Sequence, residues 1–244
     1  MTTREATSLL TRPVEPGAAS RLEDLARILL WGTIQWPWLL RSLSGGPRAD
    51  KQTLLRLLGL PADALPHLGS WKADTYFLWR IVRQIAVARP QTVVELGAGA
   101  STLVTARALA RNGGGHLQSY DQHGDFAAGV ADWLRAHDLS ADIRPAPLGR
   151  APADWPGLWY ALDGLPERID LLVIDGPPWS IHPLVRGAAE TLFPRIPVGG
   201  AVLMDDGSRP GERLVARRWA RRWPGFRFEH LPGGAGAILG VRLA

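Results

Sequence analysis

Residues 93–102 read Val93-Val94-Glu95-Leu96-Gly97-Ala98-Gly99-Ala100-Ser101-Thr102. An apolar run carries an acid near its end and then breaks into a glycine-rich turn, the pattern of a strand delivering its carboxyl end to a ligand. Gly97 and Gly99 let the backbone turn sharply and approach that ligand without a Cβ in the way. Ser101 and Thr102 are placed to cap the helix predicted over 101–111, which leaves its first amides facing the ligand. The third glycine of a dinucleotide fingerprint would fall at Thr102 and is missing, so a pyrophosphate is not indicated. An acid just before the turn suits a ligand with a positively charged amino group.

Working outward, strands and helices alternate, which predicts a mostly parallel sheet covered on both faces. Strands are predicted over 92–96, 116–120, 142–146, 169–174 and 199–204, with helices over 101–111, 125–137, 183–193 and 210–222. The end differs: 226–230 and 237–243 are joined by Leu231-Pro232-Gly233-Gly234-Ala235-Gly236 with no room for a crossover helix, so that pair must be antiparallel. Upstream, 1–17 read as a loose arm, 21–31 as a helix and Lys51–Leu58 as a second short helix. A longer helix over 72–88 is expected to bury Tyr76, Ile81, Val82, Ile85 and Ala86. The chain therefore divides into an arm with a helical appendage, 1–70, acting as a lid or oligomer contact, and a main domain, 71–244.

Composition narrows the chemistry. There is no cysteine, so disulfides, thiolate metal sites and thiol nucleophiles are excluded. Met1-Thr2-Thr3-Arg4-Glu5 begins no cleavable signal pattern, which favours the cytoplasm. The tryptophan-bearing segment around Trp31, Trp36 and Trp38 is too short and broken for a membrane span, which needs about 20 apolar residues. It suits packing on its own domain, on a twin subunit or over a substrate better than a membrane surface. The net charge is +5 with lysine only at Lys51 and Lys72. Arg213, Arg217, Arg218, Arg221 and Arg222 fall on a helix expected to bury Leu214, Val215 and Trp219, so they form a solvated face and no nucleic-acid partner is expected.

Acids stand where the strands end, the edge at which open α/β sheets bind ligands. Glu95 ends the first and Asp121 the second, where a carboxylate can accept both hydroxyls of a ribose; Gln122 and His123 follow in the same loop. The third strand runs into Pro145-Ala146-Pro147 with no acid for an adenine amino group. Asp175 ends the fourth, fully apolar strand, and Asp205 and Asp206 end the fifth. Three carboxylates brought so close raise one another's pKa unless a cation joins them, and an oxygen-only donor set suits Mg²⁺, Mn²⁺ or Ca²⁺. Trp155, Trp159 and Tyr160 lie between strands three and four, near adenine or substrate, with packing against the core as the commoner role.

Taken together, Val94-Glu95-Leu96-Gly97-Ala98-Gly99, Tyr120-Asp121, Ile174-Asp175-Gly176-Pro177-Pro178 and Met204-Asp205-Asp206, followed by Arg209-Pro210-Gly211-Glu212, resemble the motifs of class I S-adenosylmethionine-dependent methyltransferases. In layout they are similar to the catechol O-methyltransferase-like, cation-dependent O-methyltransferases. The resemblance covers about residues 72–244 and implies an α/β, Rossmann-like seven-stranded sheet: five parallel strands closed by a C-terminal antiparallel hairpin, helices on both faces, and an N-terminal helical appendage. It implies S-adenosyl-L-methionine held by Glu95, Gly97, Ala98, Gly99, Ser101, Thr102, Asp121, Gln122 and Asp175. It also implies a divalent cation on Asp175, Asp205 and Asp206, and a small-molecule hydroxyl as acceptor. The base in that group is a lysine shortly after the first metal acid. Here the segment Gly176-Pro177-Pro178-Trp179-Ser180-Ile181-His182 has none, which makes His182, beside Asp175, the candidate base; the other reading of His182 is a helix-start histidine bonded to backbone. A homodimer through the N-terminal helices accompanies this expectation. Two other classes stay open: an NAD- or nucleotide-sugar-dependent oxidoreductase, and a non-catalytic cofactor-binding or membrane-surface module.

Overall fold

The computed structural model describes residues 26, 29–30, 32–34, 36–38 and 40–244. The expected arm over 1–17 and most of the helix over 21–31 lie outside these residues. Among the described residues, helical backbone recurs from 26 to 42, followed by α1 (Arg48–Leu58) and α2 (Thr75–Ala88). The sheet is built from β1 (Thr92–Leu96), β2 (His116–Asp121) and β3 (Asp142–Pro145), with α3 (Ala100–Arg111) and α4 (Gly124–Arg135) between them. A small hairpin, β4 (Leu148–Arg150) and β5 (Leu158–Tyr160), comes next, then β6 (Leu171–Ile174), a 3₁₀ helix over Val185–Arg195, and β7 (Ala201–Asp205). Helix α5 (Pro210–Arg222) leads to β8 (Phe226–Leu231) and β9 (Ala237–Arg242). No helix among the described residues is long and apolar enough to cross a membrane.

The seven-stranded order is β3-β2-β1-β6-β7-β9-β8. β1 pairs in parallel with both β2 and β6, while β9 runs antiparallel to β7 and β8. The chain winds outward from β1 to β3 and then returns to lay β6 on the other side of β1. The strand order thus reverses between β1 and β6, and the crevice beyond their carboxyl ends is where such sheets take ligands.

Period-two alternation sorts the strand residues between two cores. Val93, Leu171, Val173 and Leu203 pack with α1 to α4 on one face. Val94, Leu96, Leu172, Ile174, Val202 and Met204 pack with the 3₁₀ helix, α5 and the β4–β5 hairpin on the other. Leu54, Leu55, Leu58 and Leu65, from the stretch expected to form the appendage, share one cluster with Phe77, Leu103 and Val173 of the main domain.

Local corrections follow from caps and close packing. Asp74 accepts the Phe77 N–H at 2.7 Å and starts α2 at Thr75, so the buried stripe is Phe77, Leu78, Ile81, Val82 and Ile85; Tyr76 and Ala86 face outward. On α5, Val215, Ala216 and Trp219 are buried whereas Leu214 is exposed. The expected helix over 183–193 is a 3₁₀ helix with Pro194 inside it. Its Gly187 backbone lies against the Trp155 ring with no room for a Cβ, and because the helix is buried nearly all round, Arg186 and Glu190 both lie inside. Phe193 on this helix stacks on Phe226 at 5.0 Å and meets Trp219 edge-on at 5.1 Å, each such pair contributing about 1 kcal/mol beyond burial. Three-residue strands separated by Pro152 and Pro156 carry too little periodicity to reveal β4 and β5 in advance.

Candidate active site

The turn after β1 is pinned from inside. Glu95 is completely buried, and its Oε2 accepts the hydroxyls of Thr102 and Ser119, both at 2.6 Å. Thr102 Oγ1 in turn accepts the Gly99 N–H at 2.8 Å. Gly99 is the N-cap and α3 begins at Ala100, so Ser101 and Thr102 lie inside the helix rather than capping it, and Thr102 supplies the return half of a capping box. The carboxylate therefore braces the turn, and its Oε1 is buried without a hydrogen-bond partner. Burial pushes the Glu95 pKa up to about 7 against the pull of the Ser119, Thr102 and Ser101 hydroxyls. Gly97, at φ +95°, crosses the β6 loop so closely that a Cβ would fall 2.8 Å from the Gly176 nitrogen, whereas one on Gly99 would meet open space.

Asp121 is brought to the same turn. Its Oδ2 accepts the Ala98 N–H at 3.2 Å and its Oδ1 the His123 N–H at 2.9 Å. The Ala98 amide is thereby committed to Asp121. Each carboxylate oxygen keeps a further lone pair, the capacity that a vicinal diol requires. Burial raises the Asp121 pKa, opposed by the His123 amide. Gln122 is half-buried beside it; its side-chain nitrogen meets His123 Nε2 at 3.0 Å, and its Oε1 is buried with no partner.

At the ends of β6 and β7 the three expected acids do converge: one oxygen from each of Asp175, Asp205 and Asp206 lies within 4.8 Å of the others. Asp206, at φ +60°, turns back so that its N–H reaches Asp205 Oδ1 at 2.7 Å. Two buried arginines are built into this cluster. Arg186 Nη1 bonds Asp206 Oδ2 at 3.0 Å and the Asp205 carbonyl at 3.2 Å. Its Nη2 bonds the Asp175 carbonyl at 2.6 Å and its Nε the Pro177 carbonyl at 3.2 Å, just past the cis Gly176–Pro177 bond. Arg209 Nη2 holds Asp206 Oδ1 at 2.8 Å, and both guanidiniums stand 4.0 Å from Glu212 Oε1.

The electrostatics follow from this crowding. Burial, and beyond it the neighbouring carboxylates, raises Asp175 to about 8 and Glu212 to about 7 and drives Asp205 well above the usual carboxylate range, with Arg186 pulling each down. Burial lowers the Arg186 pKa, but Asp206, Glu212, Asp175 and Asp205 outweigh it and the group stays charged. Of the three aspartates Asp175 is the most exposed, its side chain 17 % accessible.

His182 is held as the backbone reading described. Its Nδ1 accepts the Leu184 N–H at 3.1 Å. Tyr160 is buried with its hydroxyl against Gly176; burial and the charge of Asp121 push that hydroxyl well up. Trp155 and Trp159 belong to the core, Trp155 donating to Glu190 Oε1 at 2.8 Å. The residue that sequence reasoning missed is Arg186. Its signal was a single charge inside Leu184-Val185-Arg186-Gly187-Ala188-Ala189, a run otherwise small or apolar.

Residues 94–207 match the family model of a methyltransferase domain, a span that runs from β1 to just past Asp206 and includes every residue of the site except Arg209 and Glu212. No curated protein matches the sequence. Among solved structures, an O-methyltransferase from Bacillus cereus in complex with S-adenosylhomocysteine superposes with a TM-score of 0.55 at 15% identity, covering 88% of this chain and 99% of that one. An S-adenosylhomocysteine-bound methyltransferase from Podospora anserina gives 0.53 at 12% identity, over 96% and 100%. The O-methyltransferase TomG from Streptomyces achromogenes, involved in tomaymycin synthesis and complexed with S-adenosylmethionine, gives 0.51 at 16% identity, over 81% and 89%. At these identities the likeness is one of fold.

Proposed function

We propose that this chain is a class I S-adenosylmethionine-dependent methyltransferase that methylates a hydroxyl oxygen of a small molecule; the methyltransferase-domain match over 94–207 supports the reading. The observation that carries the reading is the junction of the two loops at the switch point. The amides of Asp175 and Gly176 both bond the Leu96 carbonyl at 2.8 Å, so the one partly exposed acid of the cluster stands directly beside the Gly97 turn.

The turn fits the cofactor. Glu95 Oε1 and Gln122 Oε1 are buried polar atoms without partners, Gly99 leaves open space where a side chain would stand, and Asp121 has lone pairs for the ribose. When bound, S-adenosylmethionine supplies an electrophilic methyl group on a sulfonium sulfur. Gly97, Ala98 and Gly99, with Glu95, Ser101 and Thr102 beneath them, shape the seat of its amino-acid part. Asp121 and Gln122 hold the ribose side. Asp175 orients the acceptor hydroxyl and takes its proton as the oxygen–carbon bond forms, so the chain's contribution is orientation and proton removal.

A divalent cation on Asp175, Asp205 and Asp206 was part of the resemblance. As the side chains stand the cluster does not suit one, because Asp206 is already neutralised by two buried arginines whose positive charge would face the ion. The N-terminal helical residues, with Leu29, Leu30, Ile34, Trp36 and Leu40 exposed, belong to this reading as a lid or as the contact of a homodimer, which sedimentation with and without residues 1–45 separates. Cytoplasmic residence belongs to it too and is checked by fractionation.

The deciding experiment is calorimetry with S-adenosylhomocysteine, followed by turnover on a panel of phenols, catechols and sugar hydroxyls. Binding by the wild type that weakens in Asp121→Ala supports the reading. No binding, or binding indifferent to that substitution, sinks it.

A further inference from the structure

We infer that the cation of this acid cluster is the guanidinium of Arg186, carried by the chain itself, and that the site works without a divalent metal ion. The inference rests on the methyltransferase reading for what the cluster does, and on the geometry alone for what fills it.

Three carboxylates within 4.8 Å must be relieved by protons, by positive charge between them, or by both. Arg186 is already there, its side chain 6 % exposed, and four of its five hydrogen-bonding directions can be traced to the two loops that carry the acids. Nε and Nη2 take the Pro177 and Asp175 carbonyls of the β6 loop; Nη1 takes the Asp205 carbonyl and Asp206 Oδ2 of the β7 loop. Nη2 is also 3.8 Å from Asp175 Oδ1. Arg209 closes the other oxygen of Asp206.

A metal would have to bind these same oxygens at about 2.0–2.6 Å. Each oxygen of Asp206 already takes one charge-assisted bond and Asp205 Oδ1 accepts the Asp206 amide, so an ion would meet oxygens whose charge is already partly neutralised. The ion would also sit a few ångströms from a buried guanidinium, where two positive charges repel strongly because little water screens them. A planar fork that bridges carbonyls and a carboxylate is a task for arginine rather than for a point charge. Arg186 thus acts as a positioning residue: it ties the loop of Asp175 to the loop of Asp205 and Asp206 and keeps the acids together beside the Gly97 turn.

The test titrates the full-length wild type with Mn²⁺ alone, read by electron paramagnetic resonance, alongside S-adenosylhomocysteine calorimetry and turnover with chelator or added Mg²⁺. The expected result is no Mn²⁺ site tighter than about 1 mM and turnover changed less than about twofold by either addition. Arg186→Ala should lose about 100-fold or more in turnover and gain what the wild type lacks: Mn²⁺ binding, and partial rescue by Mg²⁺ or by free guanidinium. Arg186→Lys, which keeps the charge and loses the fork, should fall between. A 1:1 Mn²⁺ site in the wild type that disappears in Asp205→Asn, or turnover abolished by chelation and restored by Mg²⁺, overturns the inference. If Arg186→Ala does not fold, the wild-type titration still decides. Wild-type protein that binds neither S-adenosylhomocysteine nor Mn²⁺ would refute the methyltransferase reading while leaving Arg186 as the cluster's cation.

Discussion

The Thr102 hydroxyl donates to Glu95 Oε2 across 2.6 Å, and its oxygen simultaneously takes the N–H of Gly99. One side chain thus links a buried acid on β1 to the glycine where α3 begins. Where a dinucleotide fold would carry a third glycine for close helix packing, this chain has a strut.

Thr102→Val keeps the volume and removes the strut. It leaves the Gly99 N–H and one acceptor direction of Glu95 unmet, so stability should fall by about 1–3 kcal/mol in urea titrations at pH 7. S-adenosylhomocysteine affinity should fall with it. A variant as stable as the wild type would refute this role.

Glu95 also predicts a pH dependence. Its pKa rises on folding from the ordinary 4.5 to about 7, so between those values the folded state retains a proton that the unfolded state has released. The contribution is fully present below pH 4.5 and is lost as pH rises toward 7, on the order of 3 kcal/mol in all. Asp175 and Glu212 slope the same way, so the readout is a difference. Thermal melts of Glu95→Gln between pH 4.5 and 8 should show a flatter decline than the wild type; parallel curves would contradict the assignment.

Asp121 bonds the turn through Ala98 and faces the ribose seat in the proposed complex. Asp121→Ala should weaken S-adenosylhomocysteine by about 10- to 100-fold, roughly 1.4–2.7 kcal/mol. Asp121→Asn, which keeps an acceptor, should lose less.

His182 makes the opposite prediction. With Nδ1 held by the Leu184 amide, it is expected to set the loop rather than take a proton. His182→Asn can accept the same amide, and turnover should stay within about threefold with an unshifted pH profile. Loss of about 100-fold or more with a changed profile would restore it as a base.

The inward face of the 3₁₀ helix is tested through Glu190, which joins the indoles of Trp155 and Trp223 at 2.8 and 3.2 Å and Arg222 at 2.8 Å. Glu190→Leu strands the buried Trp155 indole and the half-buried Trp223 indole and should cost about 1–3 kcal/mol. Gly187→Ala should cost about 1–3 kcal/mol by driving a methyl into the Trp155 ring. Denaturation midpoints check both.

The sequence by itself determined the sheet. Apolar strands such as Leu171–Ile174 announce burial on both faces, glycines at 97 and 99 announce a turn, and the short link between Leu231 and Ala237 leaves only an antiparallel closure. It also determined that Glu95, Asp121, Asp175, Asp205 and Asp206 stand at one edge, because acids at the ends of parallel strands share that edge whatever the details of packing. Tertiary structure alone decided what each acid does. Glu95 turned inward to two hydroxyls, His182 gave its lone pair to an amide, and Arg186 reached the aspartates from a helix that periodicity could not show to be 3₁₀. Apart from the local bond between His182 and Leu184, those outcomes depend on distances of 2.6 to 3.2 Å between residues from different elements. Spacing along the chain carries strand and helix periods, but it holds no information about which side chain from a distant segment will arrive at a given oxygen first.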